Sequence, residues 1–154
     1  MGYLSEVARR RIAAALLLIG IVIAVLAIFD LGPFSDPPTE AERAQAVVER
    51  FFDAGQAKDY RTACDQLTHD AQRTMEQRAG ATASQKGLKG CDQILALFLS
   101  NLRLGKVIDA RVSGNQAVVD AVIQQTGASG GGKETTISLF DIDGDWKIAN
   151  FGGV

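Results

Sequence analysis

The chain has 154 residues, 47% hydrophobic and 22% charged, which holds one ordinary domain and excludes a succession of enzymatic modules. Its 16 Lys and Arg against 18 Asp and Glu give a net charge of −2, so the basic excess that nucleic-acid binding demands is absent. One His and two Cys are too few ligands for a zinc or iron site of recognisable type, and neither a metal nor a cofactor is expected.

In chain order, the first element is an uncharged apolar run, IAAALLLIGIVIAVLAIF, from Ile12 to Phe29. As a helix it reaches about 27 Å, close to the roughly 30 Å of a bilayer's hydrocarbon core. Residues 1–11 end in Arg9, Arg10 and Arg11, whereas Asp30, Asp36 and Glu40 follow the run. The positive-inside bias therefore predicts a single-pass signal anchor over 12–29 in the cytoplasmic membrane, N-terminus in the cytoplasm and the remainder outside. The alternative is secretion after signal cleavage at Ile28, with Val25 and Ala27 in the small-residue positions. Continuation of the apolar run through Ile28 and Phe29 favours the anchor. Gly20 and Ala24 form a small-xxx-small pair through which two such helices can approach closely, as in a homodimer.

Residues 30–38 contain LGPFSDPP, with all three prolines of the chain, and read as a stiff extended linker. The folded domain is expected over 39–154. Thr39-Glu40-Ala41-Glu42 has the spacing of a capping box, and Ala44, Val47, Val48, Phe51 and Phe52 then recur at steps of three and four, predicting an amphipathic helix. Asp59 is placed to cap a shorter helix carrying Tyr60, Ala63, Cys64 and Leu67 inward. Thr68 is placed to cap a third, from His69 to about Arg78, with Ala71 and Met75 facing in. The polar segment Ala79 to Gly90, with Gly80, Gly87 and Gly90, predicts a loop. A last helix from Cys91 to about Leu102 packs Ile94, Leu95, Phe98 and Leu102.

The period then changes. Val107 to Val112 and Gln116 to Gln125 predict two strands joined by Ser113-Gly114-Asn115. A third, about Glu134 to Ile142, and a fourth, Asp145 to Phe151, flank Asp143-Gly144, a strong hairpin signal. Helices first and an antiparallel meander last define an α+β domain, its helices packed on one face of a curved four-stranded sheet.

Outside the membrane the compartment is oxidising, and Cys64 and Cys91 are the minimum pair that can form a bridge. With no Cys-x-x-Cys and no basic cluster to lower a thiol pKa, a structural disulfide is favoured over a redox-active pair.

Together, the capped amphipathic helix, the segment Ala63-Cys64-Asp65-Gln66-Leu67-Thr68, a second Cys opening the next helix, and strands ending in Asp-Gly-Asp-Trp-Lys-Ile resemble the nuclear transport factor 2-like, or cystatin-like, fold. The resemblance covers roughly Thr39 to Val154 and is closest to the membrane-anchored or secreted versions of bacterial cell envelopes. It implies a cone, with the first helix over a concave sheet and a cavity between them. Some members of that family are isomerases or dehydratases, many only bind, and their sheets often pair through an exposed face.

Two motifs and two single residues resemble chemistry that their context does not support. Gly127 to Lys133 has P-loop spacing until Glu134 stands where Ser or Thr is required, and the segment enters a strand instead of a helix. Asp141-x-Asp143-Gly144-Asp145 opens like a calcium loop, yet its sixth and twelfth positions are Trp146 and Gly152 instead of Gly and Glu. His69, the single imidazole, belongs to the exposed first turn of a helix. Asp120 is the candidate acid or base, but it alternates onto the face of Val118, Val122 and Gln124, opposite the apolar face of Val119, Ala121 and Ile123.

Two functional classes follow. The first is a non-catalytic binding or interaction module tethered outside the membrane, holding a small apolar ligand or an envelope protein, with Phe51, Phe52, Tyr60 and Trp146 as pocket-wall candidates. The second is an isomerase- or dehydratase-like enzyme using Asp120 in the cone, with Tyr60 as hydrogen-bond donor.

Overall fold

The computed structural model describes residues 36–127 and 131–152. The apolar run Ile12–Phe29, the basic tail and most of the linker lie outside the described residues, among which no helix is long and apolar enough to cross a membrane.

Four helices come first: α1 (Glu40–Gln56), α2 (Tyr60–Asp65), α3 (His69–Lys86) and α4 (Cys91–Leu99). Four strands follow: β1 (Leu102–Ser113), β2 (Gln116–Gln125), β3 (Lys133–Ile142) and β4 (Asp145–Gly152), joined as an antiparallel sheet in chain order. Each of the first three helices starts where a side chain satisfies a free backbone donor. Thr39 Oγ1 accepts from Glu42 N at 3.2 Å while Thr39 N donates to Glu42 Oε2 at 2.7 Å. Asp59 Oδ1 accepts from Thr62 N at 3.2 Å, and Thr68 Oγ1 accepts from Ala71 N at 3.1 Å.

α1 lies across the sheet and buries Ala44, Val47, Val48, Phe51 and Phe52, the stripe that the sequence spacing predicts. The facing residues are Ala117, Val119, Ala121 and Ile123 of β2, Ile137 and Leu139 of β3, and Trp146 and Ile148 of β4. Both two-residue hairpins are glycine-dependent: Gly114 has φ +60°, and Asp143 and Gly144 have φ +57° and +90°, a backbone twist that matches the flanking strands. The segment after α2 closes the sheet's edge, with Thr68 N donating to Ile148 O and Ile148 N to Gln66 O, both at 2.8 Å.

Three boundaries differ from expectation. The segment from Ala79 onward is helix to Lys86, so only 87–90 connects α3 to α4. Gly80 is a tolerated interior glycine, and Gly87, at φ +66°, ends α3 in a Schellman arrangement, with Leu88 N donating to Ala83 O and Gly87 N to Ser84 O. Ala79 and Ala83 pack there on Ile94 in a small satellite core. α4 stops at Leu99, so Leu102 opens β1, and Phe98, expected inward, is 45% exposed. β1 begins five residues earlier than predicted because its pairing register shifts twice, past Gly105 and past Ile108. These bulges move the inward positions from Leu104 to Val107 to Ala110, steps of three that erase the period-two signal and bend the strand.

Candidate functional site

Between α1, α3, α4 and the sheet is a cavity of about 220 Å³. Phe51 and Phe52 of α1 form its floor, stacked edge to face with centroids 5.2 Å apart, and Phe51 also meets the Phe151 ring of β4 at 5.2 Å. α4 supplies Leu95, Phe98 and Leu99, and the ends of β1 and β2 supply Leu102 and Ile123. α3 forms the remaining wall with Ala71, Thr74, Met75 and Arg78, residues three and four apart and therefore on one face of the helix.

The cavity is overwhelmingly apolar, and its polar lining residues are Thr74, Arg78 and Asn150. Among the described residues no aspartate, glutamate or lysine lines it. The wall can therefore desolvate an apolar group, and its described residues present no carboxylate to it.

A disulfide between Cys64 and Cys91 holds the helices on which this wall depends, with Cα atoms 6.0 Å apart. It joins the C-terminal end of α2 to the first residue of α4, bridging 27 positions that include the whole of α3. Both thiols are consumed, so neither is a nucleophile.

The pocket-wall candidates divide into two pairs. Phe51 and Phe52 line the cavity. Tyr60 is half-buried at the start of α2, and Trp146 is buried with its indole Nε1 donating to Glu40 Oε2 at 2.8 Å; neither lines the cavity. Trp146 alternates inward on β4, as its position indicated, but it packs near the opposite end of that strand from Phe151.

Asp120 sits on the sheet face away from α1. It pairs across β1 with Asp109 and across β3 with Thr136. Its carboxylate accepts from the Arg111 guanidinium through Oδ2 and from Thr136 Oγ1 through Oδ1, the latter at 2.7 Å. Arg111 also ion-pairs with Asp109 at 3.2 Å, making a solvated cross-strand cluster. His69 is exposed at the start of α3.

The motif-like segments have local structural roles. Asp141 Oδ1 accepts from Gly144 N at 2.8 Å, closing the Asp143-Gly144 turn. Gly132 leads directly into β3, while residues 128–130 of the P-loop-like run lie outside the described residues. Among the described residues no group of three or more His, Cys, Asp or Glu side chains is placed to hold a metal.

Arg78, Phe98 and Phe151 are lining residues that the sequence reading did not assign to a pocket. Arg78 carried a usable signal, since it continues the Ala71, Met75 spacing by one more turn. In comparison with known proteins, the chain matches no family model and no curated sequence.

Proposed function

We propose that this chain is a membrane-anchored, extracytoplasmic binding module with a nuclear transport factor 2-like domain, non-catalytic, that holds a small apolar ligand. The observation that carries this reading is the cavity of about 220 Å³ between α1 and the sheet, walled by Phe51, Phe52, Leu95, Leu99 and Ile123 with no carboxylate among its described lining residues. An apolar concavity with a few polar groups at one side is the usual form of a small-molecule site.

Two further features support it. The Cys64–Cys91 bridge suits an oxidising compartment, in agreement with export of everything after Phe29. The enzyme alternative needs a carboxylate in the cavity, whereas Asp120 is on the other face of the sheet, engaged with Arg111 and Thr136.

The test is made on the full chain in the membrane of the producing cell. Protease added to intact cells with a permeable outer layer is expected to remove the domain from the anchor, and non-reducing electrophoresis is expected to show an oxidised chain. Native mass spectra of the released domain should carry a bound small molecule. A domain that stays protected and reduced, or a cavity that takes up no apolar probe, overturns the reading.

A further inference from the structure

The cavity's polar groups are unequal. Thr74 and Asn150 are neutral, so among the described lining residues Arg78 is the single charge, and it is exposed on α3, as Thr74, Phe98 and Asn150 are on the same lining. Five other arginines of the domain are engaged: Arg43 donates to Gly144 O, Arg50 to Gln66, Arg73 to Asp70, Arg103 to Gln124 and Arg111 to Asp120. Arg61 is exposed on α2, away from the cavity, with Asp59 as its neighbouring carboxylate. Among the described residues the Arg78 side chain has no hydrogen bond and no ion pair. A guanidinium cannot lose its charge in this pH range, and its planar fork of donors matches a carboxylate in two parallel bonds. An unengaged, exposed fork on a lining whose described residues include no anion is thus complementary to a ligand whose polar end is an anion.

Size limits the other end of that ligand. A cavity of about 220 Å³ exceeds the roughly 150 Å³ that admits benzene and is below the roughly 300 Å³ where drug-sized sites begin. The interior therefore fits a single ring or a short acyl chain and is too small for a long lipid tail.

From the charge and the volume together, we infer that the cavity binds a small monocarboxylate amphiphile, its short apolar part against Phe51, Phe52 and Leu95 and its carboxylate on Arg78. This rests on reading the cavity as a ligand site and adds the chemical class. A neutral ligand of equal length lacks the guanidinium bond, and a primary amine is repelled.

Met75 supplies the probe. It lines the cavity, and the chain has one other methionine, Met1. The full-length protein in lipid nanodiscs, carbon-13-labelled at its methionine methyl groups, is titrated with octanoate and, separately, with 1-octanol. Partition of either probe into the bilayer is the same for every variant, so the comparison between variants isolates the site. The expected result is that octanoate moves the Met75 resonance and that its midpoint rises about fivefold in Arg78→Gln, the discrimination of one exposed charge pair. Arg78→Lys restores most of it, added salt weakens octanoate, and the octanol midpoint is alike in all three proteins. If Arg78→Gln leaves the octanoate midpoint unchanged while both probes still move Met75, the carboxylate inference is overturned and the cavity reading stands. If neither probe moves Met75 in the wild-type protein, the cavity reading falls and the inference falls with it.

Discussion

Trp146 and Glu40, 106 positions apart, are joined by a 2.8 Å hydrogen bond from the indole Nε1 to the carboxylate Oε2. The bond fastens the first turn of α1 to the start of β4. Arg43 reinforces it, ion-pairing with Glu40 at 2.6 Å and donating to Gly144 O at 2.6 Å, so the last hairpin is clipped to the same turn. Trp146 is 3% exposed and is not among the residues that line the cavity beside Phe51 and Phe52, which gives it an architectural role. Trp146→Ala is expected to lower stability by about 3–5 kcal/mol, and Trp146→Phe by distinctly less, because the latter loses the donor but keeps most of the packing. Urea midpoints measure both. Equal losses would show that the hydrogen bond, not the buried ring, dominates.

The same contact is expected to contribute to the acid sensitivity of the domain. The Trp146 donor and the neighbouring Arg43 hold the Glu40 carboxyl below its ordinary value. Bonds from the Thr39 backbone and side chain do so for Glu42, and bonds from the Thr62 side chain and backbone for Asp59. A carboxyl with a depressed folded-state pKa stabilises fully above its unfolded value, and that contribution is lost as pH falls through the folded value. Stability is therefore expected to be level above about pH 5 and to decline from about pH 4 downward. In Glu40→Gln/Glu42→Gln the decline should be shallower. Thermal melts across that range decide it, and an unchanged slope in the double variant would place the acid sensitivity elsewhere.

Closing the 27-position loop between Cys64 and Cys91 restricts the unfolded chain by about 3.5 kcal/mol of conformational entropy. Cys64→Ser/Cys91→Ser is expected to lower the unfolding free energy by about that amount. Because the bridge fixes the start of α4, amide exchange should rise first in α4 and the 87–90 connection. A loss spread evenly over the sheet would mean that the bridge does not act locally.

The α+β architecture was legible because the strongest elements obey simple periods. The α1 stripe, the side-chain caps at Thr39, Asp59 and Thr68, the two glycine hairpins and the alternation of Ala117, Val119, Ala121 and Ile123 are all local signals that the tertiary structure uses unchanged. Legibility failed where packing uses small residues or breaks the period. The second half of α3 buries only Ala79 and Ala83, too little apolar area to register beside three glycines. β1 has its inward positions displaced by the register shifts at Gly105 and Ile108. The cavity was half legible for a related reason: Phe51 and Phe52 belong to a visible stripe, whereas Arg78 and Phe98 become lining residues only once α3 runs past Arg78 and α4 stops at Leu99.

Gly132, within the run with P-loop spacing, is required by close backbone approach. A Cβ there would lie 2.5 Å from Ile123 O and 2.6 Å from Val122 Cγ1, closer than real contacts allow. Gly132→Ala must therefore push the start of β3 away from β2, at a cost of about 1–3 kcal/mol. Gly131→Ala, with open space around its Cβ, serves as the control and is expected to be near neutral. Equilibrium unfolding of the two variants tests this, and equal stabilities would contradict the close approach.

Ala71 and Asp120 separate the binding reading from the enzymatic one. Ala71 is half-buried in the cavity wall, so a phenyl group added there enters the space that a ligand would occupy. Ala71→Phe is expected to abolish the octanoate-induced shift of Met75 while leaving stability unchanged or raised by about 0.5–2 kcal/mol, as cavity filling does. Asp120 faces the other side of the sheet, and its partner Arg111 is 63% exposed, so Asp120→Asn should alter stability by less than about 1 kcal/mol and leave the Met75 titration as it is. The residual amide still accepts from Thr136, which keeps the cross-strand contact. A binding defect in Asp120→Asn, with Ala71→Phe silent, would move the functional site to the outer face of the sheet, around Asp109, Arg111 and Thr136. The opposite pattern is what a ligand seated between α1, α3 and α4 requires, because an outer-face carboxylate has no path to it through a core closed by Val119, Ile137 and Leu139.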